Sequence, residues 1–155
     1  MTGSAVKYAI RLLAYRGRSE QELRDRLAQK GFGEDIISGA IRELKQAGFI
    51  DDLAFAGQMR RYAIEQKLLG TEGVRRFLLR KGIRRETVDA VIGFDEEAEF
   101  ANILKLAEKK LRGSGLSPDP ASMKRLWAFL VRRGYAPHVI RKALREYRAF
   151  EEESE

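Results

Sequence analysis

Ser19-Glu-Gln-Glu22-Leu23-Arg-Asp-Arg-Leu27-Ala-Gln-Lys30-Gly31-Phe32 reads as one short helix with both ends marked. Ser19 and Glu22 have the spacing of a capping box, in which a hydroxyl and a carboxylate satisfy backbone N–H groups that the first turn leaves open. Leu23 and Leu27, four apart, share one face. Gly31 stands just beyond the last turn, where the chain must enter the left-handed conformation that a Cβ disfavours. The triplet Lys30-Gly31-Phe32 returns as Lys81-Gly82-Ile83 and as Arg133-Gly134-Tyr135, at spacings of 51 and 52 residues.

The flanks recur with the triplets. Val74 and Leu78, then Leu126 and Leu130, stand where Leu23 and Leu27 stand. Downstream, Ile36, Ile37, Ala40 and Ile41 correspond to Thr87, Val88, Val91 and Ile92, and to Val139, Ile140, Ala143 and Leu144. Each copy also has a preceding amphipathic segment: Val6, Ala9, Ile10 and Leu13; Phe55, Met59, Tyr62 and Ala63; Phe100, Ile103, Leu104, Ala107 and Leu111. The reading is an all-α chain of three tandem three-helix units resembling helix-turn-helix elements, over 1–50, 51–94 and 95–150, with an acidic tail over 151–155. Nine helices are expected, at about 4–16, 20–30, 34–47, 52–68, 72–81, 85–92, 96–112, 120–133 and 137–149. Small units that pack on their neighbours predict an elongated, curved molecule. Thr71 is expected to cap the fifth helix, Asp51 and Asp52 the fourth, and Asp119 before Pro120 the eighth, with Gly31, Gly82 and Gly134 ending the middle helices. Gly113 to Pro120 reads as a mobile linker, and Glu151 to Glu155 as a solvated, frayed end.

Composition narrows the function. The 155 residues are 44% hydrophobic, enough for a core, and contain no cysteine, which excludes disulfides and thiolate metal sites. No run of eighteen apolar residues exists and the N-terminus lacks signal-peptide character, so a cytoplasmic protein with no membrane segment is expected. Thirty basic residues against 23 acidic ones give a net charge of +7. With a sequence pI near 9.8, an acidic partner is implied, either nucleic acid or an acidic protein surface.

Catalytic signatures are missing. His138, the sole histidine, has no second ligand to form a metal set, and no phosphate-cradling glycine motif is present. The chain is therefore expected to be neither an enzyme nor a cofactor binder. Six positive charges fall within eleven residues at Arg75, Arg76, Arg80, Lys81, Arg84 and Arg85, and a second basic set comprises Lys124, Arg125, Arg132, Arg133, Arg141, Lys142, Arg145 and Arg148. Arg141, Arg145 and Arg148 share one helical stripe. Tyr8, Tyr15, Trp127, Phe129 and Tyr147 lie in apolar helices, where packing is the expected role for most of them.

Several stretches together resemble the RecX family. These are Ala9 to Tyr15 running on through Arg18, Ser19, Glu22 and Leu23; Lys30-Gly31; Gly48 through Asp51, Asp52 and Phe55 to Ala56; Leu78 to Ile83; and Leu130 with Arg133-Gly134-Tyr135. The resemblance spans about residues 5–147. It implies an all-helical regulator that binds the RecA–single-stranded DNA filament and inhibits its ATPase, strand-exchange and co-protease activities, modulating DNA repair and the SOS response without a cofactor, and a monomer is expected. Partner contact is then expected at Arg75, Arg76, Arg80, Lys81, Arg84, Arg85, Arg132, Arg133, Arg141, Lys142, Arg145 and Arg148. The competing reading is a basic helical module that acts directly on single- or double-stranded DNA.

Overall fold

The computed structural model describes residues 2–112 and 119–154, so most of the expected linker lies outside the described residues. Among the described residues there are nine α-helices and no strand: α1 Thr2–Tyr15, α2 Glu20–Lys30, α3 Glu34–Gln46, α4 Asp52–Glu65, α5 Thr71–Arg80, α6 Arg85–Val91, α7 Glu96–Arg112, α8 Pro120–Arg132 and α9 Pro137–Ser154. The three lysine- or arginine-glycine triplets close their helices identically. Phe32, Ile83 and Tyr135 each donate the backbone N–H to the carbonyl five residues back, on Leu27, Leu78 and Leu130, all fully buried. This is the Schellman closure, with glycine left-handed at φ +104°, +85° and +90°.

Packing gathers the chain into two compact units. Unit 1 comprises 1–60 and 77–91, and unit 2 comprises 61–76 and 92–155, so the middle repeat contributes to both. In unit 1, Leu23, Leu27, Ile37, Ile41 and Leu44 form a core against Ala5 and Ala9 of α1, whose small side chains let α1 lie close to α3. Val6, Ile10 and Leu13 flank this core half-buried. In unit 2, Ile103, Leu106, Leu126, Leu130, Val139, Ile140 and Leu144 from α7, α8 and α9 make a second core.

Each unit contains one junction built on the same plan. Ser19 caps α2, its Oγ accepting the Glu22 N–H at 3.1 Å while donating to the Lys81 carbonyl at 2.6 Å. The next N–H, of Glu20, is accepted by Asp52 at 2.9 Å. In unit 2, Gly70 stands 51 residues after Ser19 and donates its backbone N–H directly to the Arg133 carbonyl at 3.0 Å. The next N–H, of Thr71, is accepted by Glu99 at 2.8 Å, and the Glu72 N–H by the Gly134 carbonyl at 3.1 Å. In both units a carboxylate from the first helix of one repeat and the glycine turn of that repeat close the open first turn of the preceding repeat's middle helix.

Six expectations need correction. Thr71 does not cap α5 with its hydroxyl: it is the first helical residue, and its Oγ1 donates to Glu99 at 2.7 Å. Asp52 does not cap its own helix, a task performed by Asp51 through the Ala54 N–H. α4 stops at Glu65 because Leu68 turns left-handed at φ +52°, and α9 runs on to Ser154 through the stretch expected to fray. Tyr15 is 87% exposed and takes no part in packing the core. Ser19 completes only half of a capping box, since the Glu22 carboxylate is held by Arg16 and Arg18.

The unit 2 junction brings backbones into contact that no side chain could separate. A Cβ on Gly134 would stand 1.9 Å from Gly73 N, one on Gly73 2.1 Å from the Arg133 oxygen, and one on Gly70 2.4 Å from Tyr135 N. Gly134→Ala is therefore expected to cost more than about 2 kcal/mol, because left-handed strain adds to a backbone collision. Gly57→Ala, within α4 and with open space around it, should be neutral or stabilise by up to about 1 kcal/mol. Urea unfolding of the two variants checks the contrast.

Candidate partner-binding surfaces

The basic residues divide by what they touch. Arg133 donates through Nε to the Leu68 carbonyl at 3.2 Å and through its terminal nitrogen to the Lys67 carbonyl, and the Tyr135 hydroxyl donates to Leu68 O at 2.5 Å. These bonds hold the turn after α4 in its left-handed form, at a non-glycine residue where that conformation costs energy. Arg76 reaches the Arg132 carbonyl at 2.9 Å, and Arg75 lies 3.7 Å from Glu72. Lys81 lies over the Phe77 ring, and Lys142 pairs with Glu96 at 3.7 Å. Arg133 and Arg76 thus brace the fold through main-chain carbonyls, while Arg75, Lys81 and Lys142 make surface contacts.

The others point outward. In unit 1, Arg80, Arg84 and Arg85 are exposed and carry no ion pair among the described residues. In unit 2 the same is true of Arg132, Arg145 and Arg148, while Arg141 is exposed and lies over the Trp127 ring at 5.8 Å. The basic run from Arg75 to Arg85 is thus divided, with Arg75 and Arg76 belonging to unit 2 and the rest to unit 1. Trp127 is half-buried on the edge of the core, beside a groove of about 720 Å³ between α8 and α9.

Glu99 and Asn102, which carried no signal in the sequence, are central to unit 2. Both are buried. Glu99 accepts from Thr71 twice and from the Ala136 N–H at 3.1 Å, so one carboxylate anchors the starts of both α5 and α9. Asn102 donates to the Ile64 carbonyl at 3.2 Å. With three donors satisfied, Glu99 is a structural acceptor rather than a reactive acid. Among the described residues no cluster of His, Asp or Glu could hold a metal ion, and His138 is an exposed residue facing Phe94.

Two acids at the unit 1 junction titrate in opposite directions. Burial pushes the Asp52 carboxyl above the ordinary aspartate value, and the charge of Glu20 adds to the effect against the Glu20 N–H, Lys45 and Arg84. Burial also acts on Glu20, but hydrogen bonds from Lys45 and Arg24 outweigh it and hold that carboxyl below the usual range.

The family model described as RecX, first three-helix domain, matches residues 5–44, and that described as RecX, third three-helix domain, matches residues 96–144. The chain belongs to the RecX family. It is 34% identical to Regulatory protein RecX of Amycolatopsis mediterranei, covering 89% of this chain and 82% of the relative. It is 33% identical to that of Chlorobaculum tepidum over 92% of this chain and 87% of the relative. The crystal structure of RecX from Lactobacillus salivarius shares the fold at a TM-score of 0.83 and 23% identity, over 94% of this chain and 95% of that one. The two sequence relatives are named as regulatory proteins, and the fold is shared with the crystal structure. No helix among the described residues is long and apolar enough to cross a membrane.

Two contrasts test this sorting of charged groups. Arg133→Ala should lower stability by about 2 kcal/mol, and Arg132→Ala should change it by no more than about 0.5 kcal/mol, as read by thermal unfolding. Asp52→Ala leaves the Glu20 N–H without its acceptor and should cost about 1 kcal/mol. Asp52→Asn keeps an acceptor and removes a charge that the fold disfavours. Because the folded carboxyl is raised, the stability tied to it is full below the unfolded value of 3.8 and is lost as pH rises through the folded value. The asparagine variant should therefore match or exceed the parent at pH 7 and lose that advantage in acid.

Proposed function

We propose that this chain binds the RecA–single-stranded DNA filament and restrains it, lowering ATP turnover, strand exchange and co-protease function, and so tuning DNA repair and the SOS response. The observation that carries this reading is membership of the RecX family along nearly the whole chain. The three repeats supply the scaffold, and the arginines left over from bracing it supply the contact: Arg80, Arg84 and Arg85, together with Arg132, Arg141, Arg145 and Arg148. Exposed cations of this kind steer encounter with an acidic surface and set its register. The chain acts by occupying the filament, as a cytoplasmic monomer, and has no catalytic group or cofactor of its own.

A second reading, direct action on DNA, is favoured by the sequence pI near 9.8. Bare DNA binding would be dominated by phosphate contacts and would weaken steeply with salt whatever the sequence.

The test is RecA ATPase on single-stranded DNA with and without this protein, beside titration of bare single- and double-stranded DNA at the same salt. Inhibition at stoichiometric or few-fold excess is expected, with Arg80→Glu plus Arg84→Glu weakening it about tenfold or more. No inhibition at several-fold excess, alongside tight and salt-sensitive DNA binding, would replace the regulator reading by the DNA-binding one.

A further inference from the structure

The groove between α8 and α9 differs from the other basic surfaces in having an apolar floor. Met123, Trp127 and Leu144 form that floor, and Lys124, Arg141, Arg145 and Arg148 stand around it, all exposed. Glu152 is the one acid among the lining residues. Neither Lys124, Arg145 nor Arg148 has an ion pair among the described residues. An apolar trough ringed by four cations, three of them without an ion pair among the described residues, matches an occupant that is apolar on one side and acidic beside it.

We propose that this groove receives an acidic amphipathic helix presented by a protein partner. The inference rests on the reading of the chain as a protein-binding regulator, and adds the chemistry of what it grips. Arg141, Arg145 and Arg148 lie at i, i+4 and i+7 along α9, a span of about 10 Å at 1.5 Å per residue. Two turns of a docked helix cover that span, so carboxylates at matching intervals meet the three guanidinium groups while apolar residues at i, i+3, i+4 and i+7 enter the trough. Arginine suits this use, since its planar fork binds carboxylates through two parallel hydrogen bonds.

Single-stranded nucleic acid fits less well. Platforms for unpaired bases offer successive aromatic faces, whereas this floor has one ring, and Arg141 already lies over it at 5.8 Å. Its other members, Met123 and Leu144, offer no ring on which a second base could stack.

Trp127 is the only tryptophan in the chain, so its fluorescence reports on the groove directly. The probe is a capped synthetic helix of about fifteen residues with leucines at i, i+3, i+4 and i+7 and glutamates between them, titrated into the full chain. A saturable change in Trp127 emission is expected. Scrambling the peptide at constant composition, or Arg145→Glu plus Arg148→Glu in the protein, should weaken binding at least about tenfold. Arg132→Glu, in the same unit but not lining this groove, should not.

An equal response to the scrambled peptide would overturn the proposal by leaving only charge attraction. So would tighter binding of oligothymidylate at matched salt, which would assign the groove to nucleic acid. An emission change on concentrating the protein alone would assign it to a second copy. RecA ATPase measured in parallel separates the two readings. Peptide binding without filament inhibition sinks the filament assignment and keeps the groove, and inhibition without any peptide response sinks the groove alone.

Discussion

The first turn of an α-helix carries backbone N–H groups with no partner inside the helix, and two such turns in this chain are closed by the repeat that follows. Asp52 takes the Glu20 N–H and Glu99 takes the Thr71 N–H, donors that stand 51 residues apart in equivalent places. Beside each carboxylate lies the glycine turn of the same later repeat, met through the Ser19 hydroxyl in one unit and by bare backbone at Gly70 in the other. A helix of ten or eleven residues is too short to be stable alone in water. Tying its open end to the next repeat lets α2 and α5 hold their shape, and explains why the middle repeat is divided between two packing units.

That constraint also decides what the charges are for. Arg133 and Arg76 resemble their neighbours in sequence, yet both give their guanidinium donors to main-chain carbonyls, and Arg133 with Tyr135 holds Leu68 in a conformation it would not otherwise keep. Burial pushes the Tyr135 phenol well above its ordinary value, so it remains the hydrogen-bond donor this turn requires. Removing such residues from the basic surface leaves a smaller set of exposed arginines. Those can be replaced without removing a main-chain anchor of the fold.

Much of the architecture is legible from local pattern, because Schellman closures and helix faces depend on residues near one another in the chain. Leu27 with Gly31 and Phe32 contains its own instructions, and so do the two later copies. The junctions are different. Nothing near Glu99 in sequence shows that it will meet Thr71 and Ala136, since that depends on which segments pack together. Gly70 and Gly73 do offer a hint: two glycines bracketing a helix start oppose helix propensity, and close backbone approach is a reason to keep them. The end of α9 misled for an understandable reason. Glutamates at a helix C-terminus oppose the macrodipole, but their good intrinsic propensity lets the helix run on to Ser154.

Amide hydrogen exchange at the first turns of α2 and α5 tests the junction most directly. First-turn N–H groups that face water exchange near the unprotected rate. Here the amides of Glu20, Gly70, Thr71 and Glu72 are predicted to exchange at rates set by opening of a whole unit, alongside core amides such as those of Leu27 and Leu130. Exchange of these four amides as fast as in an unstructured peptide, while the helix centres stay protected, would contradict the account.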